Sequence, residues 1–195
     1  MKTMQLYHTG FDVIEKPDIH FGRANADFAQ GFYLSDNREF SMRRARERKG
    51  KTTYLNEYKL DVSGLKVKHF ERNEKWFSYL YRNRNGYRDT LPAYDVIIGP
   101  IANDTIYDIW GITTSGLLSK QQALAILTIG PLYEQIVIKT EKALSHLRFV
   151  RATALEHADI ATHRAVVAEE ESAYRELVSE KLGAIADILE KRNDD

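Results

Sequence analysis

Two short apolar runs constrain the fold of this chain more than any other feature. One occupies residues 96–99 between Pro92 and Pro100, and the other occupies residues 136–138. Each run is too short for a buried helix, and both are rich in the β-branched residues that favour strands. The two runs are therefore predicted to form buried strands.

Weaker patterns place further elements around these strands. Alternation of apolar and polar residues predicts strands over residues 5–8, 52–62 and 67–70, and a glycine turn leads into another over residues 31–35. Composition predicts helices over residues 37–50, 73–85, 119–127 and 140–147, with Ser119 and Thr140 as N-caps. This mixture of elements predicts the α+β class.

Charge is unevenly divided along the chain. Residues 1–150 carry 22 Lys/Arg and 17 Asp/Glu, whereas residues 151–195 carry 6 and 11. Residues 151–192 contain no proline and one glycine, Gly183, and their apolar residues approximate helical spacing. The sequence therefore predicts one domain over residues 1–150 and an acidic helical extension over residues 151–195.

Composition excludes several kinds of chemistry. The chain has no cysteine, so disulfides, thiolate catalysis and cysteine-ligated zinc are absent. Its net charge is zero, which gives no indication of a nucleic-acid or membrane partner. No run approaches the roughly 20 apolar residues that span a bilayer, and the first residues lack a signal-peptide core. We expect a soluble, cytoplasmic protein with no membrane partner.

Three places carry residues suited to a binding site. His8 ends the first predicted strand beside Thr9 and Gly10, and an acid, a glycine turn and aromatic residues follow one another over residues 27–35. The pair Glu134-Gln135 opens the late apolar strand. Each feature is more often structural when it occurs alone, but their succession along one chain favours a functional site.

These stretches resemble a group of bacterial proteins of uncharacterised function that is similar to the ADP-ribosyltransferase-like superfamily, in its His-Tyr-Glu branch. The resemblance covers roughly residues 4–150, and the blocks at residues 27–33 and 95–104 are the most specific. The poly(ADP-ribose) polymerases show a comparable glycine turn running into a tyrosine strand. The matching stretches are residues 6–10, 14–17, 22–23, 27–35, 94–104 and 135–144.

The resemblance implies a split, mixed β-structure flanked by helices, with NAD⁺ held as co-substrate in the cleft between its halves. It implies that His8 binds the adenosine ribose, that Tyr33 stacks on the nicotinamide, and that Arg23 pairs with the pyrophosphate. The other cofactor-binding residues that it implies are Thr9, Gly10, Asp27 and Phe32. It implies no metal, and we interpret Asp95, Asn103 and Asp104 as caps and loop anchors.

The catalytic group of the late strand stays open between two neighbours. Position in the family pattern favours Gln135, whereas Glu134 aligns better with the glutamate of the polymerases. The reaction passes through an oxocarbenium-like centre, so an oxygen aimed at the ribose is required. If Gln135 supplies it, the amide cannot act as a general base. A second departure from the family is Ala29, which replaces the first glycine of the turn.

The leading hypothesis is a mono-ADP-ribosyltransferase that modifies a protein or a nucleic acid, in the role of a toxin, defence or regulatory enzyme. Its acidic C-terminal helices would bind an antitoxin or regulatory protein. Two basic segments, residues 43–51 and 76–88, make a nucleic-acid acceptor plausible. The alternative is a non-catalytic nucleotide- or nucleic-acid-binding module on the same fold. Transfer of an RNA 2′-phosphate to NAD⁺ is disfavoured, because the additional basic residues are missing.

Overall fold

A computed structural model describes residues 2–101, 120–127, 129 and 132–193 of the chain. The strands are β1 (Thr3–Gly10), β2 (Phe32–Leu34), β3 (Tyr54–Asp61), β4 (Val67–His69), β5 (Val96–Pro100), β6 (Glu134–Ile138) and β7 (Leu147–Ala154). The helices are α1 (Arg38–Arg43), α2 (Glu74–Arg84), α3 (Lys120–Leu127), α4 (Glu141–Ser145) and α5 (His157–Asn193). None of the helices in this part of the chain is long and apolar enough to cross a membrane.

The chain divides into two compact units. The first contains residues 1–101 and 132–164, and the second contains residues 102–131 and 165–195. All described strands belong to the first unit, and the described helices of the second are α3 and most of α5. Strand β7 runs through residue 150, where the sequence placed a domain boundary.

The first unit confirms the predicted α+β class. Its strands form a three-stranded antiparallel sheet in the order β1-β3-β7 and a four-stranded mixed sheet in the order β2-β6-β5-β4, in which β4 and β5 are parallel. The two sheets are joined where Tyr7 and Ser35 exchange backbone hydrogen bonds of 2.8 and 3.0 Å.

A hydrophobic core fills the space between the two sheets. It includes both apolar runs from which the fold was predicted, and Val96, Ile136 and Ile138 are completely buried in it. Side chains from β1, β2 and β3 meet them from the other strands. The buried members from these strands are Leu6, Phe32, Leu34, Tyr58 and Leu60. Both runs therefore form buried strands, as predicted.

Helix α2 belongs to the opposite face of the four-stranded sheet. Asn73 caps its N-terminus, and the Trp76 indole donates a hydrogen bond of 2.9 Å to the carbonyl of Pro100. Trp76 is completely buried, and Phe77, Tyr79 and Leu80 are buried with it. Trp76, the first residue of the basic segment at residues 76–88, therefore belongs to the interior and is not exposed to a nucleic acid.

Two other predictions are corrected by the packing. Helix α1 ends at Arg43 rather than near Gly50, because Arg44 is its C-cap. Residues 147–154 form a strand paired with β3, so the helical extension begins at His157 and not at Arg151. Thr140 caps α4 as predicted. Ser119, the predicted cap of α3, lies outside the described residues.

The glycine turn before β2 depends on close contacts between backbones. A Cβ on Gly31 would lie 2.6 Å from the carbonyl oxygen of Ile138 and from a methyl group of Val137. A Cβ on Gly22 would lie 2.6 Å from the carbonyl oxygen of Gly31. Both positions therefore require glycine, because a side chain at either would collide with main chain.

Ala29, at the start of the same turn, has a positive φ of 61°. The left-handed conformation costs a non-glycine residue about 1–2 kcal/mol, whereas glycine adopts it freely. Glycine, however, lowers the free energy of unfolding by about 0.4–1 kcal/mol relative to alanine, because it makes the unfolded chain more flexible. These opposing terms explain why alanine is tolerated at this position of the turn.

We expect Ala29→Gly to leave the free energy of unfolding unchanged or slightly higher, because relief of strain offsets the entropy term. Ala143→Gly, in the interior of α4, is the matched control, since Ala143 is also buried. It should lose about 1 kcal/mol or more. Urea unfolding measures both variants, and an equal loss for both would contradict the strained assignment of Ala29.

Candidate functional site

His8 lies on β1 with its imidazole turned toward β2. Its Nδ1 donates a hydrogen bond of 2.8 Å to the carbonyl of Tyr33, and its ring centroid is 5.0 Å from that of Phe32. Since a carbonyl only accepts, Nδ1 carries the proton and Nε2 presents a lone pair. Gly10 has no side chain beside Nε2, and a Cβ built at this position would lie 3.5 Å from that atom.

Burial lowers the pKa of His8 and outweighs the opposing hydrogen bond to Tyr33. The ordinary pKa of histidine, about 6.5, applies to the unfolded state. Below about this pH the folded state therefore binds fewer protons than the unfolded state. Stability is fully present above that value and is lost as the pH falls toward the folded pKa.

We expect the free energy of unfolding to decrease as the pH is lowered below about 6.5, and His8→Asn to weaken this dependence. Urea titrations at pH 7.5 and at successive lower values measure it. The variant should be compared with His20→Asn, because His20 is 71% exposed and lies outside the core. If the free energy of unfolding depends on pH in His8→Asn as it does in wild type, then groups other than His8 cause the loss of stability in acid.

Glu134 and Gln135 point to opposite faces of β6, because side chains alternate along a strand. Glu134 shares the face of Ile136, which belongs to the core between the sheets. Gln135 faces the other way and donates a hydrogen bond of 3.1 Å to Asp27. The structure therefore separates the two residues between which the sequence left the catalytic role open.

Gln135 and Asp27 belong to a polar cluster under α2. Asp27 accepts from Arg84 at 2.6 Å, and the two side chains are only 15% and 8% exposed. The carbonyl of Asp27 also accepts from the Asn83 amide at 2.9 Å. These bonds tie the glycine turn to α2, which is a structural role.

Glu134 is paired with a residue that the sequence did not single out. Its Oε1 lies 2.6 Å from Nε2 of His69, whose side chain is 61% exposed while that of Glu134 is 27% exposed. Asp36 lies nearby, and its pKa is raised first by burial and then by the charge of Glu134. Two acidic groups and an imidazole therefore meet at one end of the space between the sheets.

His8 belongs to the same side of the four-stranded sheet. It follows Leu6 by two residues on β1, and Leu6 lies in the core between the sheets. The Tyr7–Ser35 bridge connects the two places, because the Ser35 hydroxyl donates a hydrogen bond of 3.2 Å to the carbonyl of Glu134. We call His8, Asp36, His69 and Glu134 the inter-sheet site.

The ring of Tyr33 does not face this site. Its hydroxyl donates to the carbonyl of Ala29 at 2.7 Å and accepts from the backbone of Phe28 at 2.9 Å. Burial, first among several causes, raises the pKa of Tyr33. Tyr33 therefore contacts His8 through its backbone carbonyl, while its side chain closes the glycine turn.

The other predicted residues divide between the two faces. Thr9 donates a hydrogen bond of 3.2 Å from its hydroxyl to the carbonyl of Ser41 and stays beside His8. Phe32 is buried in the core against His8. Arg23 is exposed, and its charge acts on the Tyr33 hydroxyl, which places it with the Asp27 cluster.

An aromatic pair precedes Glu134 in the chain and was also missed. The rings of Phe40 and Tyr133 stack with centroids 4.6 Å apart and planes inclined by 28°. Arg43 donates a hydrogen bond of 2.9 Å to the Tyr133 hydroxyl. No local pattern predicts this pair, because its members are 93 positions apart and lie on different elements.

Among the described residues no group of three or more His, Asp or Glu side chains is placed to hold a metal ion. Asp95 is engaged by the Lys66 amide, the Thr140 hydroxyl and the Lys142 ammonium, and the first of these hydrogen bonds is the main reason for its lowered pKa. It anchors two loops. Asn103 and Asp104 lie outside the described residues.

The fold and site define an α+β protein with two sheets joined at one bridge, a histidine on the first sheet and a glutamate on the second. The chain belongs to DUF3990, a family described as proteins of unknown function, and the match to the family spans residues 4–149. No curated protein and no solved structure matches the chain.

Proposed function

We propose that this protein is a mono-ADP-ribosyltransferase that uses NAD⁺ as co-substrate at the inter-sheet site. The observation that carries the proposal is the position of Glu134, a partly exposed carboxylate on the same side of the sheet as His8. The resemblance of residues 4–150 to ADP-ribosyltransferases supports it independently of that geometry.

Glu134 is the proposed catalytic carboxylate. Cleavage of the bond between nicotinamide and ribose develops positive charge on the sugar, and a carboxylate in a partly buried site stabilises such charge most strongly in the transition state. Gln135 is the weaker candidate, because its amide is already bonded to Asp27 on the opposite face. The choice between the two neighbours therefore follows from the side of the sheet that each occupies.

His8 is the proposed contact for a ribose hydroxyl of NAD⁺. Its bond to Tyr33 fixes the ring, and the lone pair on Nε2 is suited to accept from a hydroxyl. Burial lowers its pKa, so the imidazole is neutral at pH 7 and does not repel the positively charged nicotinamide.

Phe40 and Tyr133 are the proposed aromatic surface for the nicotinamide ring, in place of Tyr33. An aromatic face attracts a cationic ring and loses this attraction when the ring leaves as neutral nicotinamide. Tyr133 is next to Glu134 in the chain, and its ring stacks on that of Phe40 of α1. Tyr33 keeps a positioning role through its carbonyl.

The acceptor is proposed to be a protein or a nucleic acid, with the enzyme acting as a toxin or in defence. The acidic helical extension within residues 151–195 is the proposed contact for a regulatory protein, such as an antitoxin. Both points rest on charge and on the resemblance. The experiment below names the acceptor class directly.

The proposal is tested by incubating the purified protein with NAD⁺ labelled in its adenylate phosphate and a cell lysate, which is then separated into protein and RNA. We expect label in one fraction, and a loss of about 10-fold or more with His8→Ala, because a lost hydrogen bond of about 1.4 kcal/mol corresponds to that factor. His146→Ala is the matched control, since the Nδ1 of His146 also bonds a backbone carbonyl, that of Asp61, at 3.0 Å.

Absence of label and of nicotinamide release from a folded protein would contradict the proposal. The non-catalytic binding module would then be the better account, and tight binding of NAD⁺ or RNA without turnover would support it. If His8→Ala and His146→Ala lost labelling equally, the loss would come from lower stability, and His8 would have no role in binding NAD⁺.

A further inference from the structure

We propose that His69 is the general base that activates the acceptor, and that the acceptor is therefore a hydroxyl group rather than a carboxylate. The inference rests on the proposed function and names both a catalytic residue and a substrate class for it. Neither the resemblance nor the family match assigns a role to His69.

The hydrogen bond between His69 and Glu134 holds the imidazole in an orientation in which it can act as a base. The distance of 2.6 Å between Nε2 and Oε1 is short for an imidazole and a carboxylate, which indicates a charge-assisted hydrogen bond. Because an ionised carboxylate only accepts, Nε2 carries the proton. The lone pair of the neutral ring is then on Nδ1, on the side away from Glu134.

His69 is also positioned to meet a large acceptor. It is the last residue of β4, which forms one edge of the four-stranded sheet, and its side chain is 61% exposed. Glu134 lies further inside the site at 27% exposure. An acceptor that approaches from solvent therefore meets the imidazole before it reaches the carboxylate.

One acidic side chain contacts His69, and a second lies behind it. Glu134 of β6 contacts the imidazole, and Asp36 lies beyond Glu134 after β2. Strand β5, which separates β4 from β6, carries no titratable side chain. Lys68 is the other charged residue of β4, and its ammonium lies 5.1 Å from the ring of Phe70.

The acceptor oxygen forms a bond to C1′ of the nicotinamide ribose, and the bond from C1′ to the nicotinamide nitrogen breaks. The electron pair of that bond leaves with nicotinamide, which becomes neutral. The acceptor proton moves to Nδ1 of His69, and Glu134 stabilises both the developing positive charge on the ribose and the imidazolium.

This arrangement discriminates between classes of acceptor. A carboxylate is already ionised at neutral pH and gains nothing from a base, whereas a hydroxyl must lose its proton as it attacks. Labelled acceptor should therefore resist neutral hydroxylamine, which cleaves the esters that ADP-ribose forms with carboxylates.

The test compares two small acceptors with the full-length protein and NAD⁺. Methanol carries a proton that must be removed, and azide is an anion that needs no base. For His69→Gln we expect formation of the methyl glycoside to fall about 100-fold or more, while formation of the glycosyl azide stays within about threefold of wild type. The glutamine amide can keep a hydrogen bond to Glu134.

His20→Gln is the matched control, because His20 is an exposed histidine 3.9 Å from a different glutamate, Glu141. Equal losses with methanol and azide in His69→Gln would overturn the general-base role and leave His69 as a support for Glu134. Unchanged methanol transfer would remove it from the mechanism altogether. If the wild-type protein releases no nicotinamide with either acceptor, the proposed function itself fails, and this inference with it.

Discussion

Glu134→Gln is expected to lower the rate of nicotinamide release from NAD⁺ by about 100- to 1000-fold, the loss typical when one preorganised electrostatic contact to a transition state is removed. The substitution keeps the size of the side chain and an oxygen that accepts from His69. It removes the negative charge that stabilises the ribose cation. The folded protein should be unaffected, because Glu134 is partly exposed.

Two variants serve as controls for that prediction. Gln135→Ala removes the neighbouring amide from the opposite face and should retain activity within about fivefold while losing about 1 kcal/mol of stability with its hydrogen bond to Asp27. Glu141→Gln removes a charge at a position where the side chain is 74% exposed and should change neither property. Chromatographic quantification of nicotinamide over time measures all three. If Gln135→Ala lost activity and Glu134→Gln did not, the assignment of the two neighbours would be reversed.

Gly31→Ala is expected to destabilise the protein by about 3 kcal/mol or more, at the upper end of the cost of overpacking a core. The added Cβ would lie 2.6 Å from the Ile138 carbonyl, a distance that real Cβ atoms do not reach. Relief requires β2 and β6 to separate, which would break the sheet that carries Glu134.

Gly183→Ala is the matched control for this prediction. Nothing lies within 4 Å of a Cβ built on Gly183, which is an exposed position of α5, so alanine should add about 1 kcal/mol through its higher helix propensity. Urea unfolding at neutral pH measures both variants. A Gly31→Ala protein as stable as wild type would mean that the turn does not pack against β6 as described.

The sequence predicted the strands that are buried on both faces because their composition alone identifies them. Residues 96–98 and 136–138 are apolar and β-branched without interruption, and few other structures accommodate such short runs. Thr140 was predicted as a cap for an equally local reason, since its hydroxyl accepts from the amide of Ala143 three residues later.

The type or length of elements that depend on tertiary contacts was predicted incorrectly. Strand β7 has exposed and half-buried residues in irregular succession, and no proline or glycine separates it from α5, so its composition resembled the helix that follows. Helix α1 was extended to residue 50 because arginine and alanine favour helices. In the structure Ala45 instead packs with Leu55 and Ile160.

The division of the site between two faces could not be predicted for a related reason. Alternation places Glu134 and Gln135 on opposite faces, but a strand that is apolar on both sides does not reveal which face meets the other sheet. The pairing of His69 with Glu134 could not be predicted either. His69 is marked locally only by the end of a short strand, and its partner lies 65 residues away. Pairing of this kind is specified by sheet topology.

We propose that NAD⁺ binds at the inter-sheet site, with His8 at the adenosine ribose and Glu134 at the nicotinamide ribose. The most direct test is a crystal structure of Glu134→Gln with bound NAD⁺, since this variant should bind the dinucleotide without cleaving it. We predict an adenosine ribose hydroxyl within hydrogen-bond distance of Nε2 of His8 and the nicotinamide ribose beside residue 134. NAD⁺ bound instead on the opposite face of the sheet, against Tyr33 and Gln135, would contradict the account.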